Sequence, residues 1–237
     1  MDLATVKVAA KQDLVACAVA AAANAQSVVD DAELLALADR RARACFLAEL
    51  AVEEVGKALS LMALSLLPEK LKGQAPVRRM LEWHELKLVG GLLIALTPPG
   101  ASPARRLAGM SDGELAQVMN KSKMLAMDQS RLKQRGLYVD MDSRGRITQP
   151  SEVTDAEVSE SLAEARQAVS SARALLDPRA PGRLASPPAE AVEMAYALTS
   201  SLIKSGSTRT PEAAADAMLK AVTTLREQQA AEDEVQP

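Results

Sequence analysis

Across the stretch "LLALADRRARACFLAELAVEEVGKALSLM", Leu34, Leu37, Ala38, Ala44, Ala48, Ala51, Val55, Ala58 and Met62 recur mostly at intervals of three and four. That is the period of an α-helix with one face turned to other helices. The stripe is rich in alanine, and only 2% of the chain is aromatic, with one Trp, one Phe and two Tyr. A core made of Ala, Leu, Val and Met favours closely packed helices over sheets. The expected fold class is therefore all-α, a helical bundle.

At 237 residues the chain is long enough to bury a sizeable core. Expected helices cover residues 3–29, 30 or 31 to 67 (capped by Asp30 or Asp31 and stopped by Pro68), 77–96, about 111–135, 154–177, 189–205 and 211–229. Ser111 with Glu114, and Thr154 with Glu157, have the spacing of a capping box. Thr210 and Pro211 open the last helix. "LYVDMDSRGRIT" reads as a short β-hairpin or extended loop near 137–148, turning at Asp-Ser-Arg-Gly. "DPRAPGRLASPP" is the best linker, which divides a helical domain of residues 1–177 from a linker and two-helix C-terminal extension, 178–237, packed on it.

A net charge of -3 gives no global attraction for nucleic acid, so RNA would need a local basic patch. No signal segment opens the chain and no apolar run is long enough for a membrane span, so a cytoplasmic protein without membrane contact is expected. Cys17 and Cys45 lie in apolar helical stretches, as buried free thiols would. One histidine and two isolated cysteines make no metal site, and no cofactor is expected.

"AELAVEEVGKALSLM" interrupts the apolar pattern with Glu53, Glu54 and Lys57. Either carboxylate can reach the ammonium, three or four residues away on a helix. Alone, that is a solvated ion pair. Gly56, however, costs about 1 kcal/mol relative to Ala inside a helix, which is easier to understand if another backbone approaches closely.

The segment "NAQSVVDDAELLALADRRARACFLAELAVEEVGKALSLM" resembles the signature of the AbiV family of abortive-infection proteins. Asn24, Asp31, Leu34, Leu35, Arg43, Ala44, Glu53, Glu54, Gly56 and Lys57 fall on its positions. "WHELKL" and "LKQRGLYVD" match two further family motifs, so the resemblance runs from Asn24 to Asp140. It implies a bacterial antiphage protein related to the HEPN helical superfamily, whose members are often dimeric, metal-independent ribonucleases marked by an Arg, four to six residues, then a His.

His84 is the only histidine, with Arg79 five residues and Arg78 six residues before it. A neutral imidazole could take the proton of an RNA 2′-hydroxyl, and an arginine could clamp the phosphate. Five residues of regular helix turn through about 140°, so Arg79 and His84 converge only if Arg79 lies in an irregular first turn or the arginine comes from a second subunit. Met80 and Leu81 also follow the arginine, where the superfamily usually has a polar residue. His84 and Lys87 share a face, and a structural histidine beside Trp83 is an equal alternative.

The expected catalytic group is thus His84, Arg79, Glu54 and Lys57, with Arg43, Arg78, Lys87, Glu53 and Tyr138 on the substrate side. Glu53, Glu54 and Lys57 would face the His84–Lys87 stripe and orient the imidazole. Tyr138 is either a lid or dimer element or a plug at the end of the core. Candidate partners are RNA, a phage protein and a second copy of the chain. Two other functions compete with a ribonuclease: a non-enzymatic helical dimer that binds a phage protein or translation component, and an all-α nucleotide pyrophosphohydrolase. The last needs acidic pairs on two helices to hold Mg²⁺, and Glu49 with Glu53 supplies only one.

Overall fold

The computed structural model describes residues 11–67, 87–91, 109–141, 145, 147–176, 216, 219, 220 and 223. Four long helices dominate them: α1 (Lys11–Leu37), α2 (Arg41–Leu66), α3 (Asp112–Leu137) and α4 (Asp155–Leu175). Residues 87–91 are also helical. Between α3 and α4 lie strands β1 (Asp140–Met141) and β2 (Ile147–Thr148) and a 3-10 turn at Pro150–Glu152. The described residues form an all-α bundle with one small hairpin.

The core sits where α1, α2 and α4 meet. α1 turns Leu14, Ala18, Ala21, Ala22, Ala25, Val29 and Ala32 inward, and α4 contributes Val158, Leu162, Ala165, Ala168, Val169 and Ala172. α2 lies at the centre, touching α1, α3, α4 and the 3-10 turn, and buries Ala44, Ala48, Ala51, Val55 and Ala58 on its own stripe. Alanine on facing surfaces lets helix axes approach to the short end of the usual range, about 8 Å. Side-chain links fix the outer seam. Arg166 Nε lies 2.6 Å from Glu33 Oε1, and Arg173 donates to Gln26 at 3.0 Å. Numbers rise on one helix as they fall on the other, so α1 and α4 run antiparallel. Arg41 Nε, 2.8 Å from Asp155 Oδ1, joins the starts of α2 and α4.

The break between the first two helices falls later than the expected Asp30 or Asp31. Both aspartates lie inside α1, exposed, and Asp30 accepts from Gln26 at 2.8 Å. The chain turns at Ala38–Arg40 instead. The Arg40 N–H donates to the Leu35 carbonyl (2.8 Å) and the Asp39 N–H to the Ala36 carbonyl (3.0 Å). This double closure needs a left-handed residue after the helix, which Asp39 supplies at φ 56°. An acidic residue with capping chemistry starts no helix when nothing before it stops the previous one. In consequence Leu34, Leu37 and Ala38 leave the expected core stripe; Leu37 is 86% exposed.

The other boundaries follow local chemistry. α2 ends at Leu66, and Leu67 takes the extended backbone (φ -77°, ψ 145°) that a following proline favours. At α3, the Ser111 hydroxyl accepts from the Glu114 N–H (3.3 Å), while Glu114 accepts from the Ser111 N–H (2.8 Å). Thr154 and Glu157 repeat the arrangement at α4. The hairpin pairs Asp140 with Thr148 and Met141 with Ile147, and Gly145 provides the positive φ of 76° its turn uses. Cys45 is buried and Cys17 half-buried.

Most of the expected helix at 77–96, and the whole of that at 189–205, lie outside the described residues. Of the 178–237 extension, Asp216, Leu219, Lys220 and Thr223 are helical, and Leu219 is half-buried against the core. Among the described residues no helix is long and apolar enough to cross a membrane.

Candidate functional site: the Glu-Glu-x-Gly-Lys turn of α2

The glycine in the middle of α2 has a direct physical cause. A methyl group at Gly56 would overlap the carbonyl group of Lys87 and lie 2.7 Å from its Cα. Four residues away on each side the relation is reciprocal: a methyl at Gly91 would overlap the Val52 carbonyl and lie 2.8 Å from Val52 Cγ1. The 87–91 segment therefore crosses α2 antiparallel, backbone on backbone, through two glycines. Only residues without Cβ allow that approach. The Ser60 hydroxyl donates to the Gly56 carbonyl at 2.9 Å, giving the carbonyl a second partner at the crossing.

The two glutamates serve different interfaces. Glu53, one residue after Val52, lies on the crossing side by helical spacing and is 6% exposed. Glu49, one turn earlier, is 1% exposed, and Lys87 is 8% exposed. Carboxylates and a lysine are almost never buried so far unless they are paired. Glu54, rotated by about 100°, turns to α1. The Asn24 amide donates to Glu54 Oε2 at 3.2 Å, and Lys57 Nζ lies 3.1 Å from Oε1 and 3.3 Å from Oε2. The carboxylate is thus clamped between a donor from the neighbouring helix and one from its own next turn. With 36% of the Lys57 side chain and 17% of Glu54 accessible, this pair contributes under about 1 kcal/mol to stability. Its value is geometric.

Of the expected site residues, Glu53, Glu54 and Lys57 lie on this turn of α2, and the Lys87 backbone packs against it at Gly56. The single face expected for Glu53, Glu54 and Lys57 divides in two, one part toward Lys87 and the other toward Asn24. Arg43 is exposed in the first turn of α2, about 16 Å along the helix axis from Glu54. Tyr138 follows the end of α3 and is 62% exposed, so it does not plug the core. His84, Arg78 and Arg79 lie outside the described residues. Among the described residues no group of three or more His, Cys, Asp or Glu could hold a metal ion.

The family model HEPN_AbiV, described as AbiV, matches residues 13–171, from the first turn of α1 nearly to the end of α4. The chain belongs to the AbiV family. No curated protein and no solved structure matches it. The AbiV match takes in the helical core, the glycine crossing and the Asn24–Glu54–Lys57 clamp, and it suggests an abortive-infection, antiphage role.

Two partners were invisible to the sequence reading. Asn24 stands among the AbiV signature residues, but the sequence gives it no task; its one signal is a poor helix former set in the alanine run "AVAAAANAQ". Gly91 had no signal, since Gly90–Gly91 reads as a tolerated weak spot in an apolar helix.

Proposed function

We propose that this AbiV protein is a metal-independent ribonuclease that cuts RNA during infection. In this reading His84 takes the proton from a ribose 2′-hydroxyl, whose oxygen attacks the adjacent phosphorus as the bond to the 5′-oxygen breaks. Arg79 offsets the charge that develops on the phosphoryl oxygens. Glu54, held by Asn24 and Lys57, orients the imidazole. Arg78 and Arg43 supply the positive surface that an acidic chain needs to hold RNA, with Tyr138 at its margin. Lys87 and Glu53, expected on the substrate side, are buried at the α2 crossing and stand outside that surface. A second copy of the chain would complete the site if the clamping arginine comes from the other subunit.

The observation that carries this reading is the clamped Glu54 carboxylate on the turn of α2 against which the Lys87 backbone packs. Lys87 is three residues after His84 in sequence, and the crossing packs its backbone on the α2 turn that carries Glu53 on the crossing side and Glu54 on the α1 side. The decisive experiment incubates purified protein with total RNA in EDTA, wild type beside His84→Ala and Glu54→Ala. Cleavage by the wild type alone is the expected result. Equal cleavage by His84→Ala, with helicity unchanged, ends the assignment.

A specific observation favours a second reading, in which a helical dimer binds a phage protein or translation component and cuts nothing. Tyr138, Val139, Met141 and Ile147 are exposed together around the hairpin. Large apolar side chains grouped in this way are typical of surfaces that meet proteins. Under this reading Met141→Asp with Ile147→Asp abolishes phage protection, while His84→Ala retains it.

A further inference from the structure

We infer that Asn24 is a positioning residue for Glu54, one that saturates Oε2 and leaves Oε1 as the oxygen that accepts from an incoming donor. The inference rests on the proposed function for the identity of that donor, the imidazole or a ribose hydroxyl, but not for the geometry.

A carboxylate presents about four acceptor sites, two on each oxygen. Oε2 takes the Asn24 amide at 3.2 Å and the Lys57 ammonium at 3.3 Å. Among the described residues Oε1 takes the ammonium alone, at 3.1 Å. The two oxygens are therefore not equivalent. Lysine alone would leave the carboxylate free to rotate about its terminal bond, because an ammonium is a point charge that holds either oxygen equally well. The amide breaks that symmetry: it comes from a different helix and has a fixed direction.

Three facts argue that Asn24 is there for this contact. First, it lies in an alanine run whose neighbours on both sides would form a better helix without it. Second, it is exposed, so the core does not require it. Third, its amide meets the carboxylate thirty residues away rather than the backbone of its own helix, where an asparagine's usual competition with helix structure would direct it.

The test compares Asn24→Ala, Asn24→Asp, Glu54→Gln and the Asn24→Ala/Glu54→Gln double variant with the wild type. It uses the full chain, measuring kcat and KM for RNA cleavage and, separately, phage protection in cells, with helicity and melting as controls. Asn24→Ala is expected to lower kcat about tenfold at unchanged KM, and Asn24→Asp, which opposes a carboxylate to a carboxylate, is expected to lower it further. Both keep helicity and melting. The double variant is no worse than Glu54→Gln alone, because Asn24 acts only through Glu54. A merely structural asparagine would instead shift melting and leave kcat intact.

If the wild type cuts no RNA, the ribonuclease reading fails while this one is still decided by protection: loss in Asn24→Ala and Asn24→Asp, with the double variant matching Glu54→Gln, upholds it. Folded Asn24 variants that protect or cleave like the wild type overturn it. So does a double variant that loses more than Glu54→Gln.

Discussion

The α1–α2–α4 core and the α3–hairpin arm are built in opposite ways. In the core, alanines lie fully buried on facing helices, the α2 crossing removes Cβ atoms altogether, and polar links join helices distant in sequence. In the arm, local chemistry sets the boundaries: a capping box at Ser111, a positive-φ glycine at 145 and a two-residue strand pair. Met124, Tyr138, Val139, Met141 and Ile147 remain exposed there. A hairpin this small gains little from its own hydrogen bonds in water. The core is held by proximity and the arm by punctuation, so the same kind of substitution should have very different effects in the two.

Glycine gives the sharpest contrast. In an open helix, Gly→Ala adds up to about 1 kcal/mol of stability. Gly113, in the first turn of α3, has nothing within 4 Å of an added Cβ, and Gly113→Ala should follow that rule. At Gly56 the same methyl meets backbone, which no rotamer change can relieve, so Gly56→Ala should destabilise by about 3 kcal/mol. Urea unfolding of the two variants measures the difference. A Gly56→Ala protein as stable as the wild type would mean the 87–91 segment does not cross there.

Truncation comes next in size. Leu64, fully buried on α2, should cost about 3 kcal/mol as Leu64→Ala, a transfer loss plus a cavity. Ile147→Ala in the arm should cost under about 0.5 kcal/mol, because its side chain is already largely in water. If Ile147→Ala proved as costly as Leu64→Ala in the isolated chain, the arm would have to be packed against something, and the contrast would fail.

Smaller again is the cap of α4, where core and arm join. Thr154 accepts from the Glu157 N–H at 3.3 Å, and its own N–H donates to the Glu157 carboxylate at 2.8 Å. Thr154→Ala should cost about 1 kcal/mol and Thr154→Ser very little, read from the midpoints of thermal unfolding.

This division also explains what the sequence disclosed. Ser111, Thr154, Pro68 and Gly145 act within four residues of themselves, and their elements start, stop or turn where expected. Gly56 was legible for another reason: a glycine in a helix of good formers is costly enough to imply a close neighbour, and Lys87 is that neighbour. Its counterpart Gly91 and the role of Asn24 depend on which helix lies opposite, which no local pattern records. Leu34 and Leu37 show the same limit from the other side. Their spacing fits the stripe, but the helix that carries them ends at Leu37 rather than beginning near Asp30, so they stand at its exposed end.

The smallest expected effect tests that misplaced boundary directly. If Asp39 ends α1 because it tolerates φ 56°, then a residue without that penalty should do so better. Asp39→Gly removes the left-handed strain but also an ion pair with Arg41 at 3.0 Å, where the aspartate side chain is 78% accessible. An exposed pair of that kind contributes only a few tenths of a kcal/mol, while relief of the left-handed backbone is worth about 1 kcal/mol. The net expectation is a gain of about 0.5 kcal/mol, with Arg41 still bound to Asp155. Asp39→Val, β-branched and intolerant of positive φ, should instead lose more than Asp39→Gly gains. The opposite order in matched urea titrations would show that the turn is held by the Asp39–Arg41 pair, and the boundary would then rest on charge instead of backbone geometry.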